Sequence, residues 1–323
     1  MTPFDSDATA VERFSIVNPA PHALHECQTA ADFSAGFSEL TGFDVRHVAD
    51  HVLNPSAARA IFLVGSIPLG LGTSASDLDF IVLIEHRAQL VGQGVGESIN
   101  TDQKLSFRNE GDSLLGGDFI TVVRGVQIDI TVALVPALNA VHARLRSKGP
   151  ELSENEIRTL SRIATGWCLW QNEGYLQRRG VVTKDSALDV YCATRNLVLA
   201  QLYRRKAAKA LELGDVTLTS YLGRSSVEHA YLAYLASEGF AFVGPKWVAQ
   251  IGRPTGALGK VMGPSLLGQS LPLLFPAYGA SVSSSRQYLQ DVSDFLLAME
   301  ALITKKTLFR IAFTACPQLR RAK

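Results

Sequence analysis

Two aspartates at the start of an apolar strand constrain this chain more than any other feature. Asp77 and Asp79 flank Leu78, and the apolar run that follows reaches Ile84. Because side chains alternate across a strand, the two carboxylates point to the same face. Like charges at that distance raise each other's pKa unless a cation lies between them. The spacing therefore favours a site for a hard divalent ion, Mg²⁺ or Mn²⁺, completed by substrate phosphates.

The segment upstream has the composition of a phosphate-binding loop. Residues 60–64 form a short apolar run that predicts a buried strand, and Gly65-Ser66 follows it directly. Residues 67–76 are rich in Gly, Ser and Pro, which predicts a loop. Glycine lets the backbone approach a phosphate, and a serine hydroxyl with backbone N–H groups can hold its oxygens.

A third aspartate lies in a later apolar segment. Residues 119–123 and 126–132 flank Arg124-Gly125, a pattern that predicts a hairpin with Asp129 in its second strand. A lone carboxylate there is costly to bury unless it is paired or bound to metal. If this strand lies beside the Asp77 strand, three carboxylates meet in a site that can hold two metals. An Asp-x-Asp pair alone would equally fit a solvated turn, but the ordered combination favours the metal site.

These residues resemble the signature of the DNA polymerase beta nucleotidyltransferase superfamily: Gly-Ser, a spacer, Asp-x-Asp, and a third Asp on a following strand. The spacing before Ser76-Asp77-Leu78-Asp79 is similar to that of aminoglycoside nucleotidyltransferases, streptomycin-type adenylyltransferases especially. The resemblance covers residues 60–84 and is weaker at Asp129. It implies a sheet with the active site on one face and a metal-bound nucleoside triphosphate, by default ATP, as the donor.

The resemblance also implies roles for individual residues. Catalytic ligands of a two-metal site, with the third on the acceptor-side metal, are Asp77, Asp79 and Asp129. Nucleotide-binding residues are Gly65, Ser66 and Ser76. The base that takes the acceptor's proton stays open among Asp129, Glu173, Asp189 and Glu228.

Beyond Pro136 the pattern predicts helices only. They are expected at 137–147, 153–172, 186–213, 224–238, 244–251 and 286–306. We therefore predict an α+β fold, with a small mixed β-sheet nucleotidyltransferase domain and N-terminal helices at 1–136. A mainly α-helical domain at 137–323 would complete the cleft.

Two basic residues of the helical half are candidate nucleotide contacts. Lys246 lies in Gly-Pro-Lys-Trp after a helix, similar to an element that follows some small nucleotidyltransferase domains, and could reach the triphosphate. Arg195 stands among apolar neighbours, apart from the basic run at 204–209, and is a candidate phosphate clamp. The alternatives are a solvated Lys246 and a solvated basic face on the helix.

Charge and cysteine usage exclude several classes of protein. The formal net charge is +1, so no overall field draws the chain to nucleic acid or an anionic membrane. The four cysteines form no CxxC pair, which argues against zinc and fits a reduced cytosol. No signal-peptide pattern and no apolar stretch of about 18 residues are present, so we expect a soluble, cytoplasmic protein without a membrane partner.

The sequence thus predicts metal-dependent transfer of a nucleoside monophosphate, by default AMP from ATP, to a hydroxyl of a small-molecule acceptor. Pyrophosphate would be the second product, and the triphosphate and the acceptor the partners. The alternatives are a toxin-like or RNA-modifying nucleotidyltransferase acting on tRNA or protein, and a synthase of nucleotide second messengers. A non-catalytic nucleotide-binding module is disfavoured because the carboxylate set is intact.

Overall fold

The described residues ahead of the sheet include a helix and a 3₁₀ helix. The computed structural model describes residues 24, 26–51, 53, 57–72, 76–87, 105–106, 115–123, 126–146, 152–241, 272–275 and 281–315. Helix α1, Ala30–Thr41, begins after Thr29, whose side chain accepts a hydrogen bond from the Asp32 N–H. It ends at Gly42, which has a left-handed backbone with φ of 79°. A 3₁₀ helix at Val45–His51 follows.

The described residues form one six-stranded mixed sheet. Its strands are β1 Ala60–Val64, β2 Leu78–Ile84, β3 Leu105–Ser106, β4 Leu115–Val123, β5 Val126–Leu134 and β6 Trp167–Gln171. Their order across the sheet is β3-β4-β5-β2-β1-β6. Strands β2 and β5 run parallel, and every other neighbouring pair is antiparallel. The predicted strands at 60–64 and 78–84 and the hairpin of β4 and β5 are confirmed.

The two faces of the sheet pack against different layers, as the alternation of side chains requires. One face carries Phe80, Val82 and Ile128, which pack with Phe33 and Phe37 of α1 in one core. The opposite face carries residues such as Phe62, Ile81 and Leu83, which pack with the helical half in a second core. Asp79 shares this second face, since it lies two residues before Ile81 on β2.

The chain after β5 is mainly helical. The helices with described bounds are α2 Val135–Leu145, α3 Glu154–Thr165, α4 Tyr175–Arg178, α5 Ser186–Glu212, α6 Val216–Ser237 and α7 Val282–Ala315. Helices α5 and α6 form an antiparallel pair, and α7 packs on both. The α+β class, with a mixed sheet followed by a helical half, is therefore confirmed.

The prediction of helices only beyond Pro136 is wrong at one place. The segment predicted as a helix at 153–172 ends its helix at Thr165 and continues as β6. Strand β6 pairs antiparallel with β1, so the sheet takes an edge strand from the helical half of the chain. The division of the chain at residue 136 stays a prediction.

Some of the predicted features lie in parts of the chain that the structure does not describe. The helix predicted at 244–251, Lys246 and the turn Arg124-Gly125 lie outside the described residues. So does most of 87–116, where the sequence predicts a helix and a loop, although Leu105–Ser106 is a strand. None of the helices in the described ranges has the length and apolar character needed to cross a bilayer. A cytoplasmic location stays a prediction.

Candidate metal and nucleotide site

The carboxylates of β2 and β5 lie side by side at the same level of the sheet. Asp79 on β2 is in register with Asp129 on the parallel strand β5, and with Val64 on the antiparallel strand β1. Neighbouring strands are about 4.8 Å apart, so the two aspartates are adjacent. Asp77, two residues before Asp79, is exposed just ahead of β2. The three predicted carboxylates are therefore close together at the start of β2, in the middle of the sheet.

The charges of these aspartates act on one another. Burial raises the pKa of Asp129 to about 6, and the negative charges of Asp77 and Asp79 contribute to the rise. A hydrogen bond of 3.0 Å from Gln127 Nε2 to Asp129 Oδ1 opposes it, as does the positive charge of Arg162. The site thus concentrates negative charge, which a bound cation would relieve.

Arg162 of α3 is a member of this site that the sequence did not indicate. Its Nη2 donates to Asp79 Oδ1, and both side chains are about three-quarters buried. The contact is possible because α3 ends at Gly166 against β1, where an added Cβ would lie 2.7 Å from the Leu63 carbonyl oxygen. No local pattern marks Arg162, because it is one of several polar residues on an ordinary amphipathic helix and lies 83 residues after Asp79.

Gly65 brings the backbone after β1 against the Asp79 carboxylate. Its φ of 84° is left-handed, and a Cβ added there would overlap Asp79 Oδ2. Ser66 follows and is buried, and its carbonyl accepts from the Leu71 N–H at 2.9 Å. Because Leu69 and Leu71 are buried in the core beside the helices, the loop is anchored close to β2. Glycine is therefore required at position 65 for both backbone and space.

The other predicted nucleotide-binding residues, Ser76 and Arg195, lie in separate parts of the structure. Ser76 is half-buried directly before Asp77, while residues 73–75 lie outside the described part. Arg195 is on α5, with Nη2 3.7 Å from Glu154 Oε2 at the start of α3. Eight residues separate Glu154 from Arg162, about 12 Å along the helix axis. The structure thus places Gly65 against Asp79, with Ser66 and Ser76 next in the chain to Gly65 and Asp77, and it pairs Arg195 with Glu154 instead.

The chemistry of the donor set suits a hard divalent ion, since carboxylate oxygens are the ligands that Mg²⁺ and Mn²⁺ prefer. In the described ranges, however, no three His, Cys, Asp or Glu side chains are arranged to hold a metal. At this site Arg162 contacts one oxygen of Asp79. A metal bound by Asp79 at that oxygen would have to displace the guanidinium.

Comparison with known proteins assigns the chain to no family. No protein-family profile matches the sequence, and no curated protein matches it. A similar solved structure is that of a nucleotidyltransferase-like protein from Exiguobacterium sibiricum 255-15, at 10% identity and a TM-score of 0.40. The match covers 85% of this chain and 79% of that chain. Because a TM-score this low does not establish a common fold, function has to be inferred from the residues of the site.

Proposed function

We propose that this protein is a metal-dependent nucleotidyltransferase that transfers a nucleoside monophosphate to the hydroxyl of a small-molecule acceptor. The observation that carries the proposal is the register of Asp79 with Asp129, with Asp77 just ahead and the Gly65 backbone against Asp79. A phosphate-binding loop, an Asp-x-Asp pair and a third carboxylate on the neighbouring strand are what nucleotidyl transfer requires in one place.

In the proposed reaction, the acceptor hydroxyl oxygen bonds to the α phosphorus of the triphosphate. The bond between that phosphorus and the bridging oxygen breaks, and pyrophosphate leaves with the electron pair. The hydroxyl proton passes to a base of the site. Divalent ions, when bound, supply neutralisation of the phosphate charge and lower the pKa of the attacking hydroxyl.

The residues of the chain divide this work by position. Asp77 and Asp79 would hold the metals. Asp129 would help hold the acceptor-side metal, because it lies on the far side of Asp79 from β1. Gly65 and Ser66 hold the triphosphate, with Ser76 beside them. Arg162, which contacts Asp79, lies beside the carboxylates and would pair with phosphate oxygens where a metal took its place on Asp79.

The test is pyrophosphate release with each of the four ribonucleoside triphosphates, Mg²⁺, and acceptors that include hydroxylated and aminated small molecules and total RNA. We expect release from the wild-type protein with one triphosphate and a small-molecule acceptor. Asp79→Asn should lower the rate by at least ~100-fold, because a shared metal ligand is lost. Asp291→Asn, an exposed change on α7, is the matched control and should leave the rate unchanged.

Two outcomes would contradict the proposal. Release that persists in Asp79→Asn would place the activity elsewhere. Release that requires RNA and ignores every small molecule would favour the RNA-modifying alternative.

A further inference from the structure

A second candidate site lies in the helical half, away from the carboxylates. A cavity of about 310 Å³ opens between the start of α3, the middle of α5 and α6. Its apolar walls include Ile157, Leu199 and Leu232, and its polar lining includes Arg195, Tyr203 and His229. A volume near the lower limit of small-molecule sites, with apolar walls and a few converging polar groups, is typical of a ligand pocket.

His229 presents a hydrogen-bond acceptor to this cavity. Asn196 Nδ2 donates to the Cys192 carbonyl at 3.0 Å, which leaves Asn196 Oδ1 to accept from His229 Nδ1 at 3.0 Å. With its proton on Nδ1, a neutral imidazole has Nε2 as an acceptor. Among the described residues, Nε2 of His229 has no hydrogen-bond partner. Burial, together with the charge of Arg195, lowers the pKa of His229, which favours the neutral ring.

The orientation of the imidazole is fixed by stacking. The rings of Tyr203 and His229 are nearly parallel, with an interplanar angle of 6° and centroids 5.2 Å apart. Lys206 Nζ lies 5.7 Å from the centroid of the Tyr203 ring. The acceptor nitrogen is therefore held in place before any ligand arrives, which reduces the entropy lost on binding.

Arg195 supplies a positive charge that can pair with an anionic ligand. Its anionic partner Glu154 is 3.7 Å away and has a side chain that is 61% exposed. Such an exposed pair contributes at most about 1 kcal/mol, so an incoming anion can replace it. Cys192, also in the lining, has its thiol pKa raised by burial to about 12, so it stays protonated and acts as apolar wall.

We propose that this cavity binds a small organic acid whose acid group pairs with Arg195 and whose hydroxyl or N–H group donates to His229 Nε2. The site is distinct from the nucleotide site of the proposed function. The apolar walls take the body of the molecule, and the two polar contacts set its orientation.

The test uses 3-hydroxybenzoate and 4-hydroxybenzoate as probes, titrated into the full chain and followed by calorimetry or ligand-observed NMR. We expect one of them to bind with a dissociation constant on the order of 1 mM, as suits a ligand of this size. Benzoate should bind about fivefold more weakly, because it lacks the donor for His229. The amine 3-hydroxybenzylamine, of opposite charge, should not bind.

Variants assign the contacts. Arg195→Met should weaken the binding of the hydroxybenzoate at least tenfold. Arg204→Met removes a charge on the same helix outside the lining and should leave the affinity unchanged. Leu199→Phe, which fills the cavity and keeps the arginine, should also abolish binding.

Three results would overturn the proposal: no binding of either hydroxybenzoate, binding of the amine as tight as that of the acids, or full affinity in Arg195→Met. Displacement of the bound hydroxybenzoate by ATP with Mg²⁺ would also overturn it and return Arg195 to the nucleotide site. Because binding is read without turnover, the result is independent of whether the protein transfers nucleotides.

Discussion

At the scale of single residues, Gly65 couples the loop to the carboxylates. Its left-handed backbone excludes most side chains, and the space for a Cβ is filled by the Asp79 carboxylate. Gly214 has a similar φ of 75° but nothing within 4 Å of an added Cβ. The two glycines therefore separate the cost of backbone strain from the cost of the contact.

We predict that Gly65→Ala and Gly214→Ala both lower the free energy of unfolding, each by about 1–2 kcal/mol for the left-handed backbone. Gly65→Ala should cost more and should also lose pyrophosphate release, because Asp79 is pushed aside. Chemical denaturation and the release assay measure both. Equal stability and full activity in the two variants would show that the contact with Asp79 has no consequence.

Arg162 is predicted to compete with metal for Asp79. Without the guanidinium, Arg162→Gln leaves the site more negative, so it should bind Mn²⁺ roughly tenfold more tightly in the absence of nucleotide. Electron paramagnetic resonance of free Mn²⁺ measures this directly. The control is Arg158→Gln, an exposed residue one turn earlier on α3. Unchanged Mn²⁺ affinity in Arg162→Gln would refute the competition.

At the scale of elements, the start of α5 is tied to α2 by one buried carboxylate. Asp185 caps α5 by accepting from the Ala187 N–H, and its Oδ2 lies 3.3 Å from His142 Nδ1 and 3.2 Å from Arg146 Nη2. The hydrogen bond with His142, aided by the Ala187 N–H and the charge of Arg146, lowers the pKa of Asp185 to about 2. This cluster orients the first helix of the α5–α6 pair.

The lowered pKa makes a pH-dependent prediction for Asp185→Asn. In the folded protein the pKa of Asp185 lies below its ordinary value of 3.8. The stabilisation by the Asp185 charge is therefore complete above that pH and is lost as pH falls towards 2. Asparagine still caps a helix, so the change isolates the charge. The variant should be less stable by about 2 kcal/mol at pH 7 and by about half of that at pH 3.

Denaturant unfolding from pH 7 to pH 3 measures this difference. Asp215→Asn, at the exposed cap of α6, is the matched control for loss of a capping charge. A destabilisation by Asp185→Asn that stays constant across the range would contradict the assignment.

How far these elements could be predicted depends on their patterns. Strands β1 and β2 were predictable because they are short apolar runs next to Gly-Ser and Asp-x-Asp. The β4–β5 hairpin was predictable because two apolar runs flank Arg124-Gly125 in the sequence. Strand β6 was not, since Trp167–Gln171 begins with a continuous apolar run close behind a helix, and periodicity alone does not separate a buried strand from a helix there. Its strand conformation comes from pairing with β1, about 100 residues earlier, and no local pattern in the sequence indicates that contact.

The same distinction separates the predicted and unpredicted parts of the site. Asp77, Asp79 and Gly65 lie within one continuous segment whose spacing carries the prediction. The neighbouring position of Asp129 required the parallel pairing of β2 and β5, which the sequence allowed but did not determine. Arg162 joins the site only through the packing of α3 on the end of β1.

At the scale of the whole molecule, the helical half packs on the face of the sheet that carries the carboxylates. One face of the sheet packs against α1, and the other carries both the aspartates, on the central strands β2 and β5, and the core with the helices. Strand β6 and helix α3 enter this arrangement from the second half of the chain, so the candidate site depends on both halves. The whole chain is therefore the unit in which activity has to be measured.

The most direct measurement compares ATP, or whichever triphosphate supports pyrophosphate release, labelled at the α phosphate and at the γ phosphate. With Mg²⁺ and an acceptor, we predict that the α label moves to the acceptor, that the γ label appears in pyrophosphate, and that Asp77→Asn and Asp79→Asn abolish both. Transfer of the γ label to the acceptor, or transfer of the α label that survives in these variants, would contradict nucleotidyl transfer at this site.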